Sequence, residues 1–131
     1  MRNFFIAEKH DTPQVSFDAN TKVFEISGES FSEYSMDFYL PIIQWIDAYT
    51  KQYEGPITFN FKLLYYNTGS SQRLLEIMQM LDQYHNSGKG QVKINWYSLP
   101  EEYRMIEAGE DYQATLKVPF EIIEQDFEAS T

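Results

Sequence analysis

The stretch "ITFNFKLLYYNTGSSQRLLEIM", residues 57–78, decides the fold. β-Branched and aromatic residues crowd its first half, as a central strand requires. After "NTGSS", Leu74, Ile77, Met78, Leu81 and Tyr84 recur at three- and four-residue steps, the period of an amphipathic helix, which stops near Gly88 and Gly90. A second strand, "QVKINWYSL" (residues 91–99), follows. Strand, helix, strand in that order predicts parallel pairing of residues 57–65 with 91–97 and a right-handed crossover through the helix from about 70 to 87. The junction itself carries a surplus. A turn needs one or two small polar residues and a cap needs one hydroxyl, yet Thr68, Gly69, Ser70 and Ser71 stand in a row.

Toward the N-terminus, "FFIA" (residues 4–7) reads as a short strand. "QVSFD" and "KVFEIS" alternate around "ANT" as a β-hairpin. Val15 and Phe17 share one face, while the second strand leaves two phases open, Val23 or Phe24 with Ile26. Residues 27–55 form the first helical region. Ser30 and Glu33 have capping-box spacing, and Tyr34, Phe38, Ile42, Trp45, Ile46 and Tyr49 form its stripe. Pro41 predicts a kink or a split, and Gly55 with Pro56 ends the region. Toward the C-terminus, "EEYRMIEAGEDYQ" reads as a third helix and "LKVPFEIIEQ" as a last strand, with residues 128–131 fraying. The expected fold is α/β: one domain over residues 1–127, a sandwich of helices on a mixed β-sheet, with a strand-helix-strand parallel unit.

Bulk properties narrow the function. A chain of 131 residues suits one core. With no cysteine, disulfide frameworks and thiolate zinc sites are excluded. No apolar run approaches the roughly 18 residues of a membrane span, and "MRNFFIAEKHD" reaches charge too soon for a signal peptide; a cytoplasmic protein is expected. The formal net charge of −10 disfavours nucleic acid and anionic lipid surfaces, whose affinity for proteins rests on Lys and Arg.

Catalytic patterns are thin. His10 beside Asp11 is far below a metal ligand set, and His85 fits the last turn of a helix, where an imidazole favours the dipole. Ser70 and Ser71 lack a nucleophile-elbow context. "SGKGQ" is half a phosphate loop in the wrong place, after a helix. Glu101, Glu102, Glu107, Glu110 and Asp111 alternate with Tyr103, Met105 and Ile106 as a solvated helix face would. A carboxylate-pair hydrolase needs two of the acidic groups to converge in space. No cofactor is expected.

"NTGSS" therefore holds the strongest clue. It lies at the carboxyl end of a central strand, where ligand sites of open α/β sheets collect, and at a helix start, which favours anions. Thr68 or Ser70 can serve as the cap, with Gly69 relaxing the turn. A phosphate on Thr68 would also be tolerated there, while adding about −1.5 to −2 charges to the surface.

Taken together, "TPQVSFD", "ISGESFSEYSMDFYLPIIQWI", "FKLLYYNTGSSQRLLEIM", "VKINWY", "EAGEDY" and "VPFEII" are similar, in order and over nearly the whole chain, to the SiaC family of bacterial regulatory phosphoproteins. The resemblance implies a STAS-like fold and a phosphorylation site at Thr68. It also implies a partner-switching circuit. A dedicated Ser/Thr kinase and a PP2C-type phosphatase set the phosphorylation state, and that state decides whether the protein binds and activates a diguanylate cyclase. Gly69 stands where the family usually has serine, and Gln72 where it often has lysine. The region "SLPEEYR", residues 98–104, is less acidic than the family pattern.

The sequence thus predicts a non-enzymatic regulatory domain that docks a protein partner around Asn67, Gly69, Ser70, Ser71, Gln72 and Arg73 and is switched at Thr68. Arg73 is an alternative holder of the phosphate. The rival readings are a STAS-like antagonist of an anti-sigma factor and a carboxylate-based hydrolase.

Overall fold

The computed structural model describes residues 1–127; the four residues expected to fray lie outside them. Six strands and three helices follow in the order β1 (Phe4–Ile6), β2 (Gln14–Asp18), β3 (Val23–Ser30), α1 (Ser35–Gln52), β4 (Ile57–Tyr66), α2 (Thr68–Asn86), β5 (Val92–Ser98), α3 (Tyr103–Thr115) and β6 (Phe120–Glu124). They form one sheet whose spatial order is the chain order. β1–β2 and β2–β3 are antiparallel, and β3–β4, β4–β5 and β5–β6 are parallel. The sheet is therefore mixed, and β4 and β5 pair in parallel as expected, Ile57 opposite Val92 and Phe61 opposite Trp96.

Three right-handed crossovers stepping the same way across a sheet place all three helices on one face. The strands show this directly. Val15, Phe17, Phe24, Ile26, Phe59, Phe61, Ile94 and Trp96 are buried under the helices. The residues between them face outward and are mostly polar, with Lys62 paired to Glu25 at 3.2 Å and Asn95 donating to Asn60 at 2.9 Å. The open hairpin phase is settled in the same way: Phe24 and Ile26 point inward and Val23 outward. In this arrangement the ends of β3, β4 and β5 and the starts of all three helices share one edge, and the helix ends share the other.

α1 departs from expectation in three ways. It begins at Ser35 without a side-chain cap, so Ser30 and Glu33 make no capping box. Ser30 instead ends β3, buried, with its hydroxyl bonded inward. Tyr34 is exposed and Tyr39 takes the core position. Pro41 lies inside a helix that runs unbroken to Gln52. Both Pro41 and Asp37, whose carbonyl loses its helical donor, are exposed, so water can satisfy that oxygen.

Candidate functional site

β4 runs into α2 at Asn67, which is held by its neighbours at several points. Its N–H donates to the Ser30 carbonyl at 3.1 Å and its Nδ2 to the Ser32 carbonyl at 3.4 Å. Its carbonyl accepts from the Ser71 N–H at 2.9 Å, and its Oδ1 accepts from the Ser70 N–H at 2.9 Å. Asn67 is thus the N-cap of α2, and the sequence reading of Thr68 or Ser70 as the cap is corrected. The amide reaches back over the first turn and takes the role that a hydroxyl would have filled.

With the cap supplied by Asn67, the three hydroxyls diverge. Ser70 is fully buried: the Ser30 hydroxyl donates to its Oγ at 2.8 Å, and the Tyr39 hydroxyl lies 2.8 Å from Ser30 Oγ. Ser30 has a single hydroxyl hydrogen, so Tyr39 is the donor to it. Ser71 Oγ meets the Tyr112 hydroxyl at 2.9 Å, and that hydroxyl also donates to the Ser71 carbonyl at 3.1 Å. Thr68, the first residue of α2, is exposed. Gly69 lies against α1: a Cβ built on it would come within 2.9 Å of Ser35 Oγ.

Burial pushes the Tyr39 hydroxyl well above the usual tyrosine range, against the opposing hydrogen bond of Ser30. Burial also raises Tyr66 and Tyr112. All three remain neutral donors at physiological pH. Tyr39, through Ser30, ties the first turn of α2 to β3 and α1, and Tyr112 ties it to α3.

Gln72 is exposed. Arg73 is mostly buried and its Nη2 pairs with Glu76 at 3.0 Å, while its Nε is buried without a hydrogen-bond partner among the described residues. At 3.6 residues per turn, positions 68 and 73 lie about 140° apart around the helix. Arg73 is therefore directed along α2 rather than toward Thr68.

The same edge gathers exposed apolar side chains, which sequence reasoning missed because it assigned Tyr34 to the core stripe. Tyr34 is 65% exposed, Met36 67%, Leu40 54%, Tyr65 53% and Tyr103 67%. Tyr65 contacts Phe31 at a ring separation of 6.0 Å, and Phe31 contacts His10 at 5.4 Å. A shift of register between Gly28 and Glu29 gives β4 one extra residue there, so that Glu29 pairs with Tyr65 rather than Leu64. A bulge of this kind re-aims side chains at a sheet edge. The signal available in sequence was Met36 and Leu40, four residues apart and out of phase with the stripe.

Catalytic groups do not converge on this edge. His85 is at the other one, where its Nδ1 accepts from the Val92 N–H at 3.0 Å. Glu101, Glu102, Glu107, Glu110 and Asp111 are all exposed. Among the described residues no cluster of three His, Cys, Asp or Glu side chains could hold a metal ion, and no helix is long and apolar enough to cross a membrane.

A one-sided α/β sheet ends at this edge in a helix start capped by Asn67, with Thr68 exposed and a rim of exposed apolar side chains beside it. Residues 6–125 match the SiaC family of regulatory phosphoproteins, and the chain belongs to that family. An uncharacterized protein of Pseudomonas aeruginosa is 25% identical over 126 residues, covering 96% of this chain and 99% of its own. The crystal structure of apo-SiaC from P. aeruginosa superposes with a TM-score of 0.86 at 24% identity, over 94% of this chain and 99% of that one. SiaC in the crystal structure of the diguanylate cyclase SiaD with its activator SiaC gives 0.88 at 24% identity, over 93% of this chain and 99% of that one. At that identity the likeness establishes the fold.

Proposed function

We propose that this chain is a non-enzymatic regulatory protein whose unphosphorylated form docks a signalling partner, with phosphorylation of Thr68 breaking the contact. The observation that carries this reading is the sorting of the hydroxyls: of Thr68, Ser70 and Ser71, Thr68 is exposed, Ser70 is fully buried and Ser71 is engaged by Tyr112. A kinase needs a reachable hydroxyl, and the start of a helix tolerates the resulting anion. A diguanylate cyclase is the natural partner class, since P. aeruginosa SiaC is the activator of one. A Ser/Thr kinase would add the phosphate and a PP2C-type phosphatase would remove it. Asn67, Gly69, Ser70, Ser71, Gln72 and Arg73 frame the contact, Asn67 and Ser70 by positioning it from below. Antagonism of an anti-sigma factor would use the same edge. The hydrolase reading has less support: the groove of about 250 Å³ between the ends of α1 and α2 carries one carboxylate, Asp47, where a glycosidase needs two.

The test is calorimetry with a diguanylate cyclase from the same genome. Thr68→Glu should weaken binding about tenfold or more, because an unpaired charge must be desolvated. Thr50→Glu, at the far end of α1, should bind like wild type. Intact mass of protein purified from its native cells should show one phosphate, absent in Thr68→Ala. Equal affinity of all three proteins, or label retained in Thr68→Ala, would remove the switch.

A further inference from the structure

Besides the β4–α2 junction, three loops leave the strands at the Thr68 edge or enter them there, and their exposed charges are lopsided. Glu8 stands in the β1–β2 loop, Glu29, Glu33 and Asp37 around the start of α1, and Glu101 and Glu102 before α3, all exposed. The exposed cations of these segments are Lys9 and Arg104. Five of the ten basic residues, Arg2, Lys22, Lys51, Lys89 and Lys117, lie instead where the parallel strands begin. The exposed apolar side chains Tyr34, Met36, Leu40 and Tyr65 sit within the acidic region.

Exposed apolar side chains gathered within a polar rim mark a protein contact, and tyrosines are frequent anchors in such contacts. The rim states the sign of its partner. We infer that the Thr68 edge docks a basic protein surface, one that presents apolar side chains surrounded by Lys and Arg. This inference rests on the proposed docking role and names the chemistry of the partner. A symmetric pairing of two copies through this edge would set the same carboxylates against one another, and like charges across an interface are costly. Anionic lipid and nucleic acid would meet the same repulsion.

The inference also fixes how a phosphate acts. Toward a basic partner, added negative charge is attractive at long range. A phosphate on Thr68 must therefore break the contact by being buried without a matching cation, a desolvation effect. Repulsion is relieved by salt and desolvation is not, because salt screens exposed charges over a Debye length of about 10 Å at 0.1 M but barely reaches buried ones.

The experiment is binding of the full chain to the diguanylate cyclase of its own genome at about 0.05 M and about 0.5 M salt, with sedimentation of the chain alone alongside. Four proteins are compared: wild type, Glu33→Lys/Asp37→Lys, Glu54→Lys at the far edge, and Thr68→Glu. Wild type and Glu54→Lys should lose affinity about tenfold or more as salt rises. The double reversal should start about tenfold weaker and show a shallower salt dependence. Thr68→Glu should remain weaker than wild type at both salts. Salt-independent wild-type binding with an unaffected double reversal overturns the basic partner, even if Thr68→Glu still weakens binding and the switch stands. A normal Thr68→Glu with a weakened double reversal does the opposite, removing the switch and keeping the surface. Concentration-dependent association of the chain alone, abolished by the double reversal, would overturn the inference by making a second copy the occupant. Failure of wild type to bind at either salt overturns it as well.

Discussion

The two edges of the sheet are fastened differently. Where the parallel strands begin, backbone locks backbone. The Gly55 N–H donates to the Lys89 carbonyl at 2.9 Å and the Ile57 N–H to the Gln91 carbonyl at 2.9 Å. Side chains then cap what is left: Asp82 Oδ1 accepts from the Lys117 and Val118 N–H groups, both at 2.9 Å, and Tyr84 donates to the Gly55 carbonyl at 2.8 Å. Lys51 and Lys93 are paired with Asp47 and Glu121. Where the strands end, backbone bonds such as that from the Asn67 N–H to the Ser30 carbonyl are joined by a set of hydroxyls below the surface, through Ser30, Tyr39, Ser70, Ser71 and Tyr112, and the apolar groups above are left uncovered. One edge is closed on itself, and the other leaves its apolar side chains exposed. A fold can separate stability from recognition in this way because loops at one end of a parallel sheet are free to vary while the other end supports it.

The sharpest way to break that contrast is with two glycines. A Cβ on Gly90 would come within 1.9 Å of the Gly55 carbonyl oxygen, a backbone atom with nowhere to go. Gly90→Ala should therefore destabilise by about 3 kcal/mol and lower the melting temperature by roughly 10 °C. A Cβ on Gly69 meets Ser35 Oγ, a hydroxyl that can rotate away, and alanine suits a helix better than glycine does. Gly69→Ala should stay within about 1 kcal/mol of wild type. Equal losses in thermal melts would mean that both edges are equally rigid.

Next in size are the hydroxyls themselves. Ser70→Ala leaves the buried Ser30 hydroxyl without its acceptor, which should cost about 1–2 kcal/mol. Thr68→Ala, at an exposed position, should cost about 0.5 kcal/mol or less. If denaturant titrations reversed that order, the division between structural Ser70 and available Thr68 would be lost.

Much of this was legible in the sequence. The parallel unit follows from the β-branched and aromatic run Ile57–Tyr66 and the helical-period stripe from Leu74 to Tyr84, because burial sets both patterns. The start of α1 was not. Ser30 and Glu33 have the spacing of a capping box, but spacing is blind to the chain still being paired to β4 at Ser30. Tyr34 is misplaced in the stripe and Tyr39 left out of it for the same reason: starting the helix at Ser35 shifts which aromatics turn inward. Asn67 is passed over as a cap because the hydroxyls of Thr68 and Ser70 beside it offer the same chemistry. Of the apolar rim, only Met36 and Leu40 left a sequence signal, since Tyr65 turns outward through the bulge.

A smaller effect sharpens the picture of the buried hydroxyls. Burial raises the ionisation of Tyr39, Tyr66, Tyr84 and Tyr112 above the usual tyrosine value. A raised acid group contributes stability that is full below its unfolded pKa and is lost as pH rises toward the folded one. Stability should therefore fall above about pH 10. The fall should be shallower in Tyr39→Phe, and equal slopes would show that Tyr39 ionises freely.

The smallest effect belongs to the closed side, at the β2–β3 turn. Asp18 Oδ1 accepts from the Asn20 N–H at 2.8 Å and from the Thr21 N–H at 3.1 Å. These bonds favour the ionised carboxylate, so the Thr21 and Asn20 amides hold it below the usual aspartate value. A depressed acid group contributes stability that is present above its unfolded pKa and is lost as pH falls through the folded one. The carboxylate is fully exposed, and solvent screens most of the gain. The turn should therefore weaken slightly as pH drops below about 4. Asp18→Asn keeps an oxygen acceptor in the same place but has no proton to take up. Its melting temperature should start a little lower at neutral pH and converge with wild type in acid. Parallel acid curves for the two proteins would show that the amides of Asn20 and Thr21 do not distinguish the ionised from the protonated side chain.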